Sequence, residues 1–209
     1  MTAPLIIDAG PALNFFATNN ERPLLDVVGG YLSAPETVAD EVKSKSQTDR
    51  RFRETHGVWV KLEQAKRLTV LSDDVTPELD ATVQRIATMP MSKRLQFAKD
   101  LGEVMVLAHA VTQAEAGRSV NILIDDTEGA RLASREIARL NGRRAKGIPV
   151  GTLNLFNTNA ILIRAAGRKY ITDRNAMRKV YAQLRECDDG LVDIKQTNLL
   201  SAEVWRTCT

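Results

Sequence analysis

Acidic residues follow two short apolar runs of this 209-residue chain. Asp8 comes directly after Leu-Ile-Ile, and Asp125 and Asp126 come directly after Ile-Leu-Ile. Two glutamates, Glu41 and Glu103, lie in segments whose apolar residues have helical spacing. A single Asp after a strand is commonly a helix cap or a turn residue, and an acid in the first turn of a helix complements its dipole. Their recurrence after buried runs favours a shared site instead.

Carboxylates that gather at one point need a cation. Two like charges about 4 Å apart repel by roughly 4 kcal/mol at an effective dielectric constant of 20. Carboxylate oxygens without His or Cys suit Mg²⁺, with Mn²⁺ as an acceptable substitute. Such an ion acidifies water and stabilises charge on a phosphate, which predicts in-line hydrolysis of a phosphodiester to 5′-phosphate and 3′-hydroxyl ends. We expect His56 and His109 to be ordinary residues rather than ligands.

The elements that must position these acids alternate between short apolar runs and helical patterns. The apolar runs predict strands at Leu5–Ile7, Tyr31–Ser33, Leu68–Leu71, Val120–Ile124 and Ile148–Val150. Helical spacing predicts helices at Pro11–Thr18, Pro35–Ser44, Thr76–Met89, Gly102–Ala116, Thr127–Leu140 and Thr152–Ala165. The alternation predicts an α/β fold with a parallel sheet and helices on both faces. Ligands of such sheets bind at the carboxyl ends of strands, where the strand order reverses.

In these features the chain resembles PIN-domain ribonucleases, particularly the VapC-like toxins of bacterial type II toxin–antitoxin systems. The resemblance is carried by "LIIDAGPAL", "PETVADEV", "LGEVMVLAHA" and "ILIDDTEGARLA", in that order. The segment "IPVGTLNLF" also looks like the strand and Gly-Thr turn that follow in one subgroup of the family. The matching parts are Leu5–Ser44 and Asp100–Ala165, about half of the chain.

The resemblance implies a three-layer α/β/α fold with a mainly parallel central sheet and a site for Mg²⁺ or Mn²⁺. Carried over position by position, it implies that Asp8, Glu41, Glu103 and one of Asp125 or Asp126 converge. The last acid of the family usually lies two residues past a Thr that is Ile124 here, which favours Asp126 as the catalytic residue. Asp125 stays open as a metal ligand beside Asp8, Glu103 and Asp126. The resemblance also implies an RNA substrate, a cognate antitoxin and a homodimer.

The chain departs from the family pattern in two places. Gly10 stands where the family often has Ser or Thr, which removes a hydroxyl that would orient a carboxylate or water. Residues 45–99 are longer than the usual connection, so we expect a PIN-like domain over 1–170, with a partly helical insertion at 45–99, and a helical extension over 171–209 packed on it. The helix Thr76–Met89 is amphipathic. Its apolar stripe either packs on the domain's own core or forms part of an antitoxin or dimer interface.

A basic stripe follows the acid pair. Arg131, Arg135 and Arg139 recur every four residues on one face of the predicted helix, opposite Ala133 and Leu140. The stripe begins within about 10 Å of the acids at a helical rise of 1.5 Å per residue. We expect these arginines to hold the phosphates that flank the cleaved bond. The alternative is a solvated outer face of the helix.

Composition narrows the class of protein. The net charge of +3 says little about nucleic acid by itself. Two cysteines without a CxxC spacing indicate neither a disulfide framework nor a zinc site, and a reducing cytoplasm fits best. The apolar start is interrupted by Asp8, so we expect no secretory signal. The longest uncharged run, residues 147–163, is too polar and too short for a membrane span.

Three other functions compete with the ribonuclease. A phosphorylatable receiver domain would place its acid pair after the first strand and a Lys beside the last, whereas the pair here comes late. A catalytically inactive PIN fold that serves as a binding or scaffold module is favoured by Gly10. A DNA-directed nuclease remains open, because acids and arginines contact phosphates rather than sugars.

Overall fold

A five-stranded parallel sheet forms the centre of the protein. The computed structural model describes residues 3–206. The strands are β1 Leu5–Ile7, β2 Leu32–Pro35, β3 Leu68–Leu71, β4 Val120–Leu123 and β5 Leu153–Phe156. They lie in the order β3-β2-β1-β4-β5, and every neighbouring pair is parallel. The chain runs outward from β1 to β3 and then returns to β4 on the other side of β1, so the strand order reverses between β1 and β4.

Helices cover both faces of this sheet. They are α1 Ala9–Ala17, α2 Glu21–Val28, α3 Glu36–Thr48, α4 Thr55–Gln64, α5 Pro77–Ala87, α6 Met91–Arg94, α7 Leu101–Glu115, α8 Thr127–Ala145, α9 Thr158–Ala165, α10 Arg174–Cys187 and α11 Ala202–Arg206. Helix α1 packs against α3, α4 and α10, whereas α7 packs against α5 and α8. Because crossovers between parallel strands are almost always right-handed, the strand order places these two groups on opposite faces. The predicted α/β class with a three-layer arrangement is therefore confirmed.

The strands next to the reversal are buried on both faces. Leu5, Ile6 and Ile7 of β1 are almost fully buried, as are Ile122 and Leu123 of β4. A strand covered by helices on both sides reads as a continuous apolar run rather than an alternating one. The acids that follow β1 and β4 are therefore held by the most deeply buried part of the sheet.

The predicted strand Ile148–Val150 is wrong, and only the second half of the predicted helix Thr152–Ala165 is confirmed. The fifth strand is β5, and helix α9 begins only at Thr158. Leu153 and Leu155 of β5 pair with β4, while Ile148 is exposed. The Gly-Thr pair at 151–152 consequently precedes the strand instead of following it. The side chain of Asn157 accepts a hydrogen bond from the Ala160 amide at 2.8 Å, which starts the helix there.

The insertion at 45–99 contains strand β3 as well as helices, and its helix α5 packs into a buried cluster. Helix α5 confirms the amphipathic helix predicted over Thr76–Met89, and the Thr76 side chain caps it. Leu79 and Val83 are buried in a second apolar cluster together with residues of α7, namely Leu101, Val104, Met105 and Ala108. The apolar stripe is thus covered by the protein's own helix.

Asp73 fastens the insertion to the rest of the molecule. One of its oxygens accepts hydrogen bonds from the Thr37 amide at 2.7 Å and from the Thr37 hydroxyl at 2.5 Å. Its other oxygen lies 2.8 Å from Nε2 of His109. These bonds, of which the His109 contact is the largest, outweigh burial and lower the pKa of Asp73. The bonds join the loop after β3 to the start of α3 and the middle of α7.

The end of the chain is helical and packs on the first helix. Met177, Val180, Tyr181 and Leu184 of α10 are buried in the main core, and α10 lies against α1. The Tyr181 hydroxyl donates to the carbonyl of Val192 at 2.8 Å, which draws the following loop back over α10. Within residues 3–206, no helix has both the length and the apolar character that crossing a membrane requires.

The second apolar cluster predicts a matched pair of stability effects. Replacing fully buried Val83 by Ala leaves a cavity between α5 and α7 and should lower the free energy of unfolding by roughly 1–3 kcal/mol. The same change at Val75, which is 56% exposed, should alter it by less than about 0.5 kcal/mol. Urea unfolding of both variants measures the difference. Equal urea midpoints for the Val83 and Val75 variants would contradict the packing of α5 on α7.

Candidate active site

Asp8 lies at the reversal of the strand order. It follows β1 directly, and its amide donates to the carbonyl of Leu123 at the end of β4 at 3.0 Å. Asp8 occupies the N-cap position of α1, but within the described chain its side chain makes no capping hydrogen bond. The cap interpretation therefore leaves the Asp8 carboxylate unexplained. Its place is the one at which parallel sheets bind ligands.

Glu41 shares one small space with Asp8, and Gly102 provides it. A Cβ atom built on Gly102 would lie 3.3 Å from Oδ1 of Asp8 and 3.4 Å from Oε2 of Glu41. A larger residue at position 102 would press on the carboxylate of Asp8 and touch that of Glu41. The glycine thus lets α7 approach the end of β1 and the outer face of α3, and it brings two of the predicted site residues together.

Glu103 meets the start of α8 through a second glycine. A Cβ atom built on Gly129 would lie 3.1 Å from Cγ of Glu103 and 2.9 Å from Cγ2 of Ile124. The bare backbone of Gly129 therefore leaves room for the Glu103 side chain beside the positive end of the α8 dipole. Burial raises the pKa of Glu103, and the negative charge of Glu41 adds to the effect.

The two acids after β4 have different surroundings. Asp126 is exposed, and its Oδ1 caps α8 by accepting from the amides of Glu128 and Gly129 at 2.9 and 3.0 Å. Asp125 is partly buried, and its two oxygens accept from the amide and the hydroxyl of Thr158 at 2.7 and 2.6 Å. Both acids line one cavity of about 480 Å³ together with Asp8. Either one remains available as the fourth acid of the site.

The helical extension contributes a fifth carboxylate. Asp188, which follows α10, lines the same cavity as Asp8. One of its oxygens accepts from Nδ2 of buried Asn14 at 2.7 Å, and the other accepts from the Gly190 amide at 2.8 Å. Burial raises the pKa of Asp125 most, and the negative charge of Asp188 raises it further. Sequence reasoning missed Asp188, because no pattern near residue 188 indicates that this side chain lines the same cavity as Asp8.

Asp8 differs from Glu136, the other buried carboxylate of the described chain, in the charges that surround it. Glu136 is 8% exposed, and its Oε2 lies 2.8 Å from Nε of Arg139 and 3.2 Å from Arg85. Asp8 is 5% exposed, and within residues 3–206 neither a lysine nor an arginine forms an ion pair with it. Glu136 is therefore an ordinary paired charge, whereas Asp8 is not.

The neighbours of Asp8 are instead acidic. Burial raises the pKa of Asp8 to about 8, and the charge of Glu103 is the next largest cause. Glu41 and Asp125 add to the rise, while a hydrogen bond from the Ala9 amide opposes it. An ionised Asp8 at neutral pH consequently needs a positive charge that the described side chains do not provide.

The chemistry of this donor set fits a hard divalent ion. Every candidate ligand is a carboxylate, and His109 is occupied by Asp73. Among residues 3–206, however, no three His, Cys, Asp or Glu side chains form a ready-made group for one ion. Asp125 and Asp126 direct oxygens at Thr158 and at the start of α8 instead. The carboxylates of Asp8, Glu41 and Glu103 could contribute oxygens to one ion only after their side chains rearrange.

The three arginines of the predicted stripe differ from one another. Arg131 is exposed and pairs with Glu128 within the first turns of α8. Arg135 is exposed, and its charge helps to lower the pKa of Glu128. Arg139 is half-buried and lies 2.7 Å from Glu115 and 2.8 Å from Glu136. Arg139 therefore belongs to an ion-pair cluster that joins α8 to α7, and the substrate role of all three stays a prediction.

Comparison of the chain with protein-family models, with characterised proteins and with solved structures gave no match.

The surroundings of Asp8 predict an inverse dependence of stability on pH. Because the pKa of Asp8 is about 8 in the folded protein and 3.8 unfolded, the folded state binds the proton more tightly. In EDTA, the contribution of Asp8 to the free energy of unfolding should be most favourable below about pH 4. It should fall toward pH 8 by up to about 1.4 kcal/mol per pH unit.

Asp8→Asn should remove this fall, because the amide does not ionise. The readout is the difference between wild-type and Asp8→Asn stabilities from urea unfolding at several pH values in EDTA. Excess Mg²⁺ should flatten the wild-type curve, since a cation stabilises the ionised carboxylate. Parallel curves for the two proteins in EDTA would contradict the raised pKa.

Proposed function

We propose that the chain is a metal-dependent endoribonuclease that hydrolyses phosphodiester bonds of RNA. One observation carries this proposal: the buried carboxylate of Asp8 stands among acids, with Glu41 at the same glycine and without an arginine partner. Proteins retain such a cluster, at a cost in stability, where a function needs it. The place of the cluster at the strand-order reversal, and its resemblance to the acids of PIN-domain ribonucleases, support the same conclusion.

Each acid has a distinct task in this proposal. Asp8 is the fixed ligand, because its backbone is hydrogen bonded into the sheet between β1 and β4. Glu41 and Glu103 approach it from α3 and α7, where Gly102 and Gly129 leave room for their side chains. When bound, Mg²⁺ or Mn²⁺ supplies Lewis-acid chemistry that acidifies water and neutralises charge on the phosphate. The reaction then requires no nucleophilic side chain.

In this proposal, Asp125 and Asp126, which follow β4, provide the remaining acids of the site. Thr158 holds both oxygens of Asp125, so that carboxylate is oriented before substrate binds. Asp126 keeps one oxygen on the amides at the start of α8 and is exposed to solvent. We propose that Asp126 orients the attacking water and that Asp125 is a further ligand.

We further propose that Arg131 and Arg135 bind the phosphates that flank the cleaved bond. Both are exposed on the helix that begins immediately after Asp126. The pair between Arg131 and Glu128 is exposed to solvent, so exchanging Glu128 for a phosphate as the partner of Arg131 costs little. Arg139 contributes mainly by neutralising Glu115 and Glu136.

The biological setting follows from the resemblance to VapC-like toxins. We propose that the protein is the toxin of a toxin–antitoxin pair, acts in the cytoplasm as a homodimer, and is inhibited by a small partner protein encoded beside it. The neighbouring gene would identify that partner. This part of the proposal rests on the motifs around Asp8, Glu41, Glu103 and Asp126.

An inactive PIN fold that serves as a binding module is the second candidate, and Gly10 favours it. A Cβ atom built on Gly10 meets nothing within 4 Å, and Gly10 lines the cavity that contains Asp8. A serine would therefore fit there, and its hydroxyl is the group that this chain lacks. Metal-dependent cleavage by the purified protein decides between the two candidates.

We expect the purified protein to cut RNA in Mg²⁺ or Mn²⁺ and not in EDTA. Asp8→Asn and Glu103→Gln should each lower the cleavage rate by at least about a hundredfold, because each removes a charge that holds the metal. The rate is measured on a labelled RNA under single-turnover conditions. Products should carry 5′-phosphate ends.

The matched control for Glu103→Gln is Glu78→Gln. Both glutamates lie in the first turn of a helix, but Glu78 is exposed on α5, away from the acids. Glu78→Gln should cut RNA at the wild-type rate. Cleavage that continues in EDTA, or that survives in Asp8→Asn, would overturn the proposed chemistry.

The arginines predict a change in the salt dependence of binding. Arg131→Gln with Arg135→Gln should weaken RNA binding on every sequence and lower the salt slope by about 1.4, or about 0.7 for each lost contact with a single strand. Fluorescence anisotropy at several salt concentrations measures this slope. An unchanged salt slope would mean that these arginines form a solvated face of the helix and do not bind RNA phosphates.

Arg139→Gln provides the contrast within the same stripe. It removes a partner of buried Glu136 and should lower the free energy of unfolding, while the salt slope falls less than in the double variant.

A further inference from the structure

A second cavity opens on the other side of the acids. It has a volume of about 430 Å³ and is walled by Glu41 and Glu103 on one side. Ser44 and Lys45 of α3 and Ala98 of the loop before α7 also line it. The catalytic acids are thus flanked by two spaces, one toward β4 and one toward the insertion.

A buried arginine fixes the wall of this cavity. Arg94 is 7% exposed, and its guanidinium donates to the carbonyls of Phe97 and Lys99. The two bonds span the short segment between α6 and α7. Asp100 then takes a left-handed conformation with φ of 53°, which turns the chain into α7. The loop is therefore held in one shape, as a binding surface requires.

The fixed loop presents an aromatic ring to solvent. Phe97 is 55% exposed although its backbone is held by Arg94, and it is next in sequence to Ala98 in the cavity wall. An exposed phenylalanine loses the favourable burial of an apolar ring. Such a ring beside a site for RNA chemistry offers a surface on which an unpaired base stacks.

Lys45 brings a positive charge to the same cavity. It lies one helical turn after Glu41 on α3 and is exposed. Its charge helps to lower the pKa of Asp49, but the cavity wall beside it is otherwise rich in acids, which include Asp40 and Asp100. Among the described residues that line the cavity, Lys45 alone carries a positive charge, so it is the side chain there that would attract a phosphate.

We propose that this cavity, together with exposed Phe97 one residue before its wall, is a nucleotide subsite: Lys45 binds the phosphate next to the cleaved bond, and Phe97 stacks on an unpaired base. The inference rests on the proposed ribonuclease function and names residues that the PIN resemblance does not supply. Lys45 and Phe97 both belong to residues 45–99, the region in which the chain departs from the family. The subsite requires a single strand, since a base within a duplex is not free to stack on a side chain.

The test compares binding of a labelled single-stranded RNA of about 12 nucleotides with binding of a duplex of the same sequence. All proteins in the binding assay carry Glu103→Gln, so that bound RNA stays intact. Lys45→Gln should weaken single-strand binding about threefold to tenfold and lower the salt slope by about 0.7. Lys43→Gln is the matched control, because Lys43 is exposed on the same helix and lies outside the cavity lining.

Substitutions at Phe97 separate stacking from apolar contact. Phe97→Ala and Phe97→Leu should each weaken single-strand binding about tenfold, whereas Phe97→Tyr should bind like the parent protein. In cleavage assays without Glu103→Gln, the Lys45 and Phe97 variants should raise KM and leave kcat nearly unchanged. Both side chains are exposed, so the melting temperature should not change, which thermal unfolding checks.

Two results would overturn the subsite alone. One is wild-type cleavage together with unchanged binding and unchanged KM in the Lys45→Gln and Phe97→Ala variants. The other is a duplex that binds as tightly as the single strand. A wild-type protein that neither binds nor cuts the single strand in Mg²⁺ would overturn the proposed function and the subsite together.

Discussion

Repulsion among carboxylates around buried Asp8 is the constraint on which the rest of the structure depends. A buried charge normally has a partner of opposite sign, as Glu136 has in Arg139 and Arg85. Asp8 has acids instead, and burial together with the charges of these acids raises its pKa to about 8. The sheet must therefore supply the stability that holds this aspartate in place, and the deeply buried strands β1 and β4 do so on either side of the strand-order reversal.

Two glycines allow the acids to come together without a clash. Gly102 faces Asp8 and Glu41, and Gly129 faces the stem of Glu103. Glycine inside a helix costs roughly 0.5–1 kcal/mol relative to alanine. Here that cost accompanies a close approach of two helices to the end of the sheet. The first turns of α7 and α8 are consequently shaped by the acids, even though neither glycine has a side chain that takes part in chemistry.

The insertion has a structural part and an exposed part. Its helix α5 packs on α7 through Leu79 and Val83, and Asp73 ties the preceding loop to α3 and α7. These contacts hold the helix that carries Glu103, so the insertion stabilises the acid site from behind. Its final loop leaves Phe97 exposed beside the cavity at Glu41. The same segment therefore supports the site and extends its surface.

The sequence alone predicted the parallel α/β class, the bounds of β1 and β3, and the amphipathic helix α5. Those features are local, because an apolar run, a helical spacing of apolar residues and a capping Thr can each be recognised from residues that are close together along the chain. It missed β5, because the pairing of Leu153 with β4 outweighed the helical spacing of the segment.

Only the tertiary structure showed that Asp188 and Asp125 line one cavity. It also showed that Arg139 forms an ion pair with Glu115 and that His109 contacts Asp73. Each of these contacts joins side chains that are distant along the chain, so their partners depend on packing that no local pattern records.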